Sequence, residues 1–432
     1  MRLYDLRNGA DRTLLRAALA DRLSPSDDEA GETVVRTILA DVRKRGDDAV
    51  LEWTRRFDYA QATSLRVPGE AIESAVRRVE KTPLWEAMIV AANRIRSFHE
   101  KHKRESWLTL STPGETMGQV IRPLSRVGIY VPGGTASYPS TVLMAAIPAQ
   151  VAGVSTVAVA TPPNRETGLP PDATLAAAHI AGVSEIYGMG GAQAIGALAF
   201  GTETVPPAVK IVGPGNRFVN LAKRLVYGVV GIDMLAGPSE VGIIADETAS
   251  AETVAIEIIA QTEHDPLNSA LFVTTAPTLA EAVEREIDKQ LSDLPRADTV
   301  RAALKSFGYI ALVDTIPEAI ITMNDYAPEH LHLLVRDPWQ VVPGIENAGA
   351  ILIGEASAAA IGDYIAGPCH TLPTAGSARF SSPLNVDDFV KKTSIISFDK
   401  ATAKPLATAA VTFAEAEGLE AHARSARHVL KL

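Results

Sequence analysis

Apolar residues in "DEAGETVVRTILADVRKRGDDAVLEWTRRFD" (28–58) fall at Val34, Val35, Ile38, Leu39 and Val42, the spacing of one helical face. The stripe breaks at Gly46 and resumes, and a second helical run covers about 83–103, so the first ~110 residues are expected to be mainly helical. From Arg126 the period changes. "RVGIYVPGG" reads as a strand ending in a Pro-Gly-Gly turn, and a helix follows. "VSTVAVATPP" is a second strand and turn, ahead of a helix near 172–181. "VSEIYGMGGAQAIGALAFG" and "VKIVGPGNRFVNLAKRLV" each run strand, glycine turn, helix. Further units start at 241 and 269, and strands are expected near 309–313, 331–335 and 350–353. Such alternation predicts an α/β fold with parallel sheets covered by helices.

"VAVATPP" (157–163) and "LFVTTAP" (271–277) are similar strand-to-turn phrases and hint at duplicated halves. After about Pro383 the chain becomes a tail, with a strand near 394–398 and an amphipathic helical region over 402–430 suited to docking on a second subunit. The longest apolar stretch, 140–160, is broken by Pro148 and Gly153, and reads as a buried helix and strand rather than a membrane span.

Composition narrows this picture. A chain of 432 residues implies two or more domains, and 47% apolar with 21% charged residues implies packed cores. A formal charge of −10 argues against nucleic acid as the main partner. The N-terminus carries no apolar core of signal length, and the single cysteine, Cys369, fits a reducing cytoplasm.

Three glycine turns, "YVPGG", "GMGGAQ" and "VGPGN", occupy the strand-to-helix position where backbone N–H groups meet anionic ligands. None completes G-x-G-x-x-G, since Gln193 stands in the third place after Gly188 and Gly190. Any one of them also reads as a tight turn requiring positive φ. No P-loop lysine follows, which favours a nucleotide over phosphoryl transfer.

A different signal lies in "NDYAPEHLHLLV" (324–335): turn-forming Asn324-Asp325 and Pro328, then an apolar strand opening on Glu329 and His330, with His332 two residues on. That acid and imidazole are either a solvated strand end or an acid–base pair aimed at a substrate. Gln261 and His264 share a helical face at i,i+3 in "QTEHDP". Asp363 and His370 lie in the Gly/Pro-rich "IGDYIAGPCHTLPT", and His422 in the last helix. Two imidazoles, a carboxylate and one more oxygen suit zinc, although each histidine alone reads equally as an ordinary surface or core residue. Cys369, beside His370, is either a thiolate nucleophile or inert packing.

Taken together, "RVGIYVPGGTASYPSTVLM", "GGAQAIGALAFGTETVP", "KIVGPGN", "GIDMLAGPSEV", "QTEHDP", "APEHLHLL", "GAILIGEASAAAIGDYIAGPCHTLPT", "ARFSSPL" and "EGLEAHARS" make the chain resemble the histidinol dehydrogenases over essentially its whole length. The resemblance implies oxidation of L-histidinol through L-histidinal to L-histidine with two NAD+ and one zinc per subunit, the last step of histidine biosynthesis. It implies zinc ligands at Gln261, His264, Asp363 and His422, and a catalytic pair at Glu329 and His330. Ser239, His370 and Glu417 match substrate contacts, as do His330 and the four ligands; Tyr130, Gln193 and Asn216 match NAD contacts.

The implied fold is two similar incomplete Rossmann-like domains with helical terminal extensions. The expected division is an N-terminal segment (1–25), a first α/β domain (26–125 and 240–320), a second, NAD-binding domain (126–239 and 321–382), and a C-terminal dimerisation segment (383–432). The implied assembly is a homodimer with shared sites, Glu417, His422 and His370 acting across the interface. Cys369 stands where Asn is usual and Thr262 where Ala is common. The alternatives are a paralogue acting on another alcohol such as a sulfonated diol, a non-catalytic nucleotide-binding protein, and a thiol-dependent aldehyde dehydrogenase using Cys369.

Overall fold

The computed structural model describes residues 1–22, 28–133 and 137–432. Strand β1 (Arg2–Asp5) and helix α1 (Gly9–Asp21) lead to helices α2 (Glu29–Arg45), α3 (Asp47–Phe57), α4 (Gly69–Val79) and α5 (Pro83–Glu100). Strands β2 (Trp107–Thr109) and β3 (Glu115–Pro123) precede β4 (Arg126–Tyr130), α6 (Pro139–Ala152), β5 (Thr156–Thr161) and α7 (Asp172–Ile180). Then come β6 (Glu185–Gly188), α8 (Gly191–Phe200), β7 (Lys210–Val212), α9 (Arg217–Val226) and β8 (Gly231–Ile232). The next stretch holds β9 (Glu240–Ala245), α10 (Ala251–Thr262), β10 (Ser269–Thr274), α11 (Pro277–Gln290), α12 (Ala297–Phe307) and β11 (Gly308–Leu312). Helix α13 (Ile316–Tyr326), β12 (His330–Leu334), α14 (Pro338–Val341), β13 (Ala350–Ile353) and the short α15 (Ala359–Ile361) follow. The chain ends with β14 (Val390–Phe398), α16 (Lys400–Ala416) and α17 (Glu420–Leu430).

Two parallel sheets carry the molecule. The first has the order β6-β5-β4-β7-β8, and the second β1-β11-β10-β9-β12-β13. Counted from β4 and from β9, the five shared positions read 3-2-1-4-5 in both, the doubly wound order, and β1 extends the second sheet at one edge. The similar phrases at 157–163 and 271–277 belong to β5 and β10, each the second strand of its sheet. Duplicated halves are therefore visible in the topology. The central strands are buried along their whole length because apolar clusters cover both faces of each sheet.

Helices α2 to α5 pack on α6, α7, α8 and α9 of the first sheet, and β12 and β13 pair into the second sheet beside β9. Sequential units stay adjacent in space.

Two local expectations change. Asn324 and Asp325 complete α13 instead of forming a turn; the reversal falls on Ala327, in the left-handed region at φ 54°, followed by Pro328. Strands β2 and β3 were not anticipated: β14 pairs antiparallel with β3 from Val390↔Pro123 to Phe398↔Glu115, and β2 lies on the other edge of β3. The tail helices α16 and α17 pack on each other; Phe413 of α16 and Ile396 of β14 are exposed. Among the described residues no helix is long and apolar enough to cross a membrane.

Candidate active site

Strand period places His330 and His332 on one face of β12, with Leu331 and Leu333 in the core on the other. Glu329 and His330 are buried at 7% and 4% exposure, so they are not a solvated strand end. Glu329 Oε2 accepts from the backbone N–H of Glu240 (3.3 Å), and the carboxylate also accepts from the Ser239 hydroxyl. Burial pushes this carboxyl up to about 7, against the pull of His330. His330 Nε2 lies 2.9 Å from Asp363 Oδ1 and its Nδ1 3.8 Å from Glu329 Oε2. Burial alone would lower the imidazole, but Asp363, Glu329 and Glu257 outweigh it and hold it above the ordinary value. Burial likewise works to raise Asp363, yet His330 keeps it below the carboxylate range. An imidazole fixed at one nitrogen, with the other free of hydrogen bonds among the described residues and facing a protonatable carboxyl, is equipped for proton transfer.

Gln261, in the last turn of α10, is buried and hydrogen-bonds the Asp363 carboxylate; His264 is exposed one turn beyond it. Asn268 ties this helix end to Ser239: its Nδ2 donates to Gln261 O (2.8 Å), and its Oδ1 accepts from Ser239 N–H (2.9 Å). Glu417 and His422 are exposed on the tail hairpin, and among the described residues no hydrogen bond or ion pair joins either to this cluster. Among the described residues no three His, Cys, Asp or Glu side chains converge to hold a metal. An amide oxygen, a carboxylate and an imidazole are donor types that suit zinc; the structure joins Gln261 to Asp363 and leaves His264 exposed one helical turn on.

Asp363 lies on a π turn, Gly362–Ala366, that several elements hold. Arg94 Nε of α5 donates to Ile365 O (2.9 Å), and His370 Nδ1 donates to Asp363 O (2.9 Å). Gly367 ends the turn at φ 117°, where a Cβ would meet Arg94 O at 2.8 Å. His370 Nε2 lies 3.3 Å from the Thr141 hydroxyl, so both ring nitrogens already have protein partners. Cys369 is buried, its thiol donating to Met144 O (3.3 Å), and burial pushes it up to about 12. That removes the thiolate needed by a Cys369 aldehyde dehydrogenase.

The glycine turns gather at the carboxyl edge of the first sheet. The Tyr130 hydroxyl, at the end of β4, accepts from Gly191 N–H (3.2 Å) where α8 begins. Gln193, 1% exposed, donates through Nε2 to Asp58 Oδ2 (3.2 Å), while its Oε1 has no partner among the described residues. Asp58 also accepts from Gly190 N–H (3.1 Å), and burial pushes it up to about 6. Asn216 caps α9 by accepting from Phe218 and Val219 N–H. The buried Lys223–Asp233 pair (2.5 Å) grips Gly213 by its carbonyl and its N–H. The "YVPGG" turn runs on into 134–136, outside the described residues.

Over residues 22–430 the chain matches the histidinol dehydrogenase family. It is 48% identical over 394 residues to "Histidinol dehydrogenase" of Halalkalibacterium halodurans, covering 91% of this chain and 92% of the relative. With the protein of that description in Bacillus subtilis, identity is 46% over 418 residues, covering 97% and 96%. The crystal structure of histidinol dehydrogenase from Elizabethkingia anophelis is similar at a TM-score of 0.90 and 36% identity, covering 96% of each chain. A doubly wound pair of sheets with this buried acid–imidazole pair, matched at such identity across nearly the full length, belongs to the histidinol dehydrogenase family of NAD-dependent oxidoreductases.

Proposed function

We propose that the chain carries out the four-electron oxidation of L-histidinol, through L-histidinal, to L-histidine, using two NAD+ and one zinc ion per subunit, in a cytoplasmic homodimer. The observation that carries this reading is the buried Glu329-His330 pair beside Asp363. NAD+ supplies the hydride acceptor for each oxidation, and zinc, when bound, supplies a charge that holds the amine and imidazole of the substrate. Gln261, His264 and Asp363 are the ligands from one subunit. His422 joins them from the partner's tail, with Glu417 contacting substrate from there. The exposure of both residues, and of Ile396 and Phe413 nearby in the chain, supports a tail that completes a neighbour.

His330 takes the alcohol proton as the first hydride leaves. Glu329 then draws a proton from the water that adds to the aldehyde, and His330 accepts the next proton as the hydrate is oxidised. One alcohol, one water and two NAD+ thus give one carboxylic acid, two NADH and two protons. Tyr130, Gln193 and Asn216 line the dinucleotide side, and Ser239 orients Glu329 at the substrate side.

The test is NADH formed per mole of limiting L-histidinol by zinc-supplied protein. A ratio of two, lost in His330→Asn, is the expected result. A ratio of one removes the second oxidation, and no NADH overturns the histidinol reading in favour of another alcohol.

A further inference from the structure

Behind the cluster lies a second, wholly buried layer that the proposed chemistry does not use. Glu257 stands on α10 one turn before Gln261 and is 6% exposed. Its Oε2 accepts from the backbone N–H of Ala359 (3.1 Å), the first residue of α15 and four residues ahead of Asp363. The same oxygen lies 3.4 Å from Nε2 of His332, 1% exposed and two residues beyond His330 on the same strand face. That ring nitrogen has no other polar partner among the described residues. One carboxylate therefore touches the strand of the base, shares the helix of Gln261, and caps the segment that delivers Asp363.

We infer that Glu257, backed by His332, is a positioning residue that sets the Asp363 turn against Gln261 and His330. The inference rests on the reading of Gln261 and Asp363 as zinc ligands. A segment of three helical residues followed by a five-residue π turn has little local stability of its own, so its start must be fixed from outside. Glu257 does this through a charge-assisted bond to a backbone donor, which resists displacement better than a neutral acceptor. Partners that orient ligating groups typically change metal affinity or activity by about 10–100-fold when removed.

The experiment compares Glu257→Ala and Glu257→Gln with the parent chain as dimeric holoenzyme. Zinc affinity is measured by competition with a chelator, alongside KM and kcat for L-histidinol and the unfolding temperature. The expected result is zinc binding about 10–100-fold weaker in Glu257→Ala, with KM raised. Glu257→Gln, whose carboxamide oxygen still accepts from Ala359 N–H, should recover most of the zinc affinity. A folded Glu257→Ala that binds zinc like the parent overturns the positioning role while leaving the ligands standing, as does a Gln variant no better than Ala. A parent chain that does not bind zinc overturns the ligand reading and this inference with it.

Discussion

His330 Nε2 lies 2.9 Å from Asp363 Oδ1, while the opposite ring nitrogen faces Glu329 at 3.8 Å and makes no hydrogen bond among the described residues. A ring tethered on one side keeps its other nitrogen aimed. The pair therefore splits into a fixed imidazole, the base of the proposed reaction, and an adjacent carboxyl whose ordinary charge is weakened by burial.

Loss of the ring should remove the base from both oxidations. His330→Asn is expected to lower kcat about 10²–10⁴-fold, read from NADH formation at saturating substrate. Glu329→Gln should slow oxidation of supplied L-histidinal more than that of L-histidinol. Equal slowing of the two would deny Glu329 a role of its own in hydration.

Asp58 organises the turn at the start of α8 by holding Gly190 N–H and Gln193 together. Removing two bonds worth about 1 kcal/mol each predicts for Asp58→Ala a KM for NAD+ raised roughly tenfold or more. The KM for L-histidinol should stay near that of the parent. Movement of both constants together would mean a wider collapse of the domain.

His99 on α5 is buried with neither ring nitrogen hydrogen-bonded among the described residues, and burial, with His102 beside it, lowers it to about 4. An unfolded chain protonates this ring near pH 6.5. The folded state binds fewer protons between those values, so the contribution is whole above about 6.5 and is lost as pH falls towards 4. Chemical denaturation of His99→Leu across that range should show a shallower acid loss than the parent. His332, lowered to about 3 by burial, would leave part of the slope in place.

Lys223 and Asp233 are fully buried, and both hold the Gly213 turn. Lys223→Met leaves a buried carboxylate without its cation, at an expected cost of about 3–5 kcal/mol, measured from the urea midpoint. The double variant with Asp233→Leu should regain much of that loss. A double variant as unstable as the single would locate the effect in the packing of Lys223's alkyl stem.

The parallel sheets, their glycine turns and the duplicated order were legible because each strand, turn and helix announces itself within about 20–30 residues of sequence, a βαβ unit's length. Longer-range partnerships were not. Asp58 meets Gly190 across 132 positions and Glu257 meets Ala359 across 102, with no local pattern to connect them. Strands β2 and β3 escaped because β3 pairs with the distant tail, β2 pairs only with β3, and both expose much of their surface, which blurs the alternation. His332 looked featureless in sequence since its partner lies on another element. The packing of α2 to α5 on the first sheet was hidden for the same reason: helix packing across elements leaves no trace in periodicity.

The two sheets share one strand order, yet they offer opposite edges. In the first sheet the glycine turns follow the strands, on the loops that run from strand to helix. In the second, Ser239 and the Glu329-His330 pair stand at the amino ends of β9 and β12, on segments that lead into the strands, from β8 in one case and from α13 in the other. On the function proposed above, loop direction divides the labour of a duplicated architecture. Changes in the outgoing loops of one half should retune the redox partner, and changes in the incoming loops of the other should retune the molecule being oxidised, with little crosstalk between the two searches.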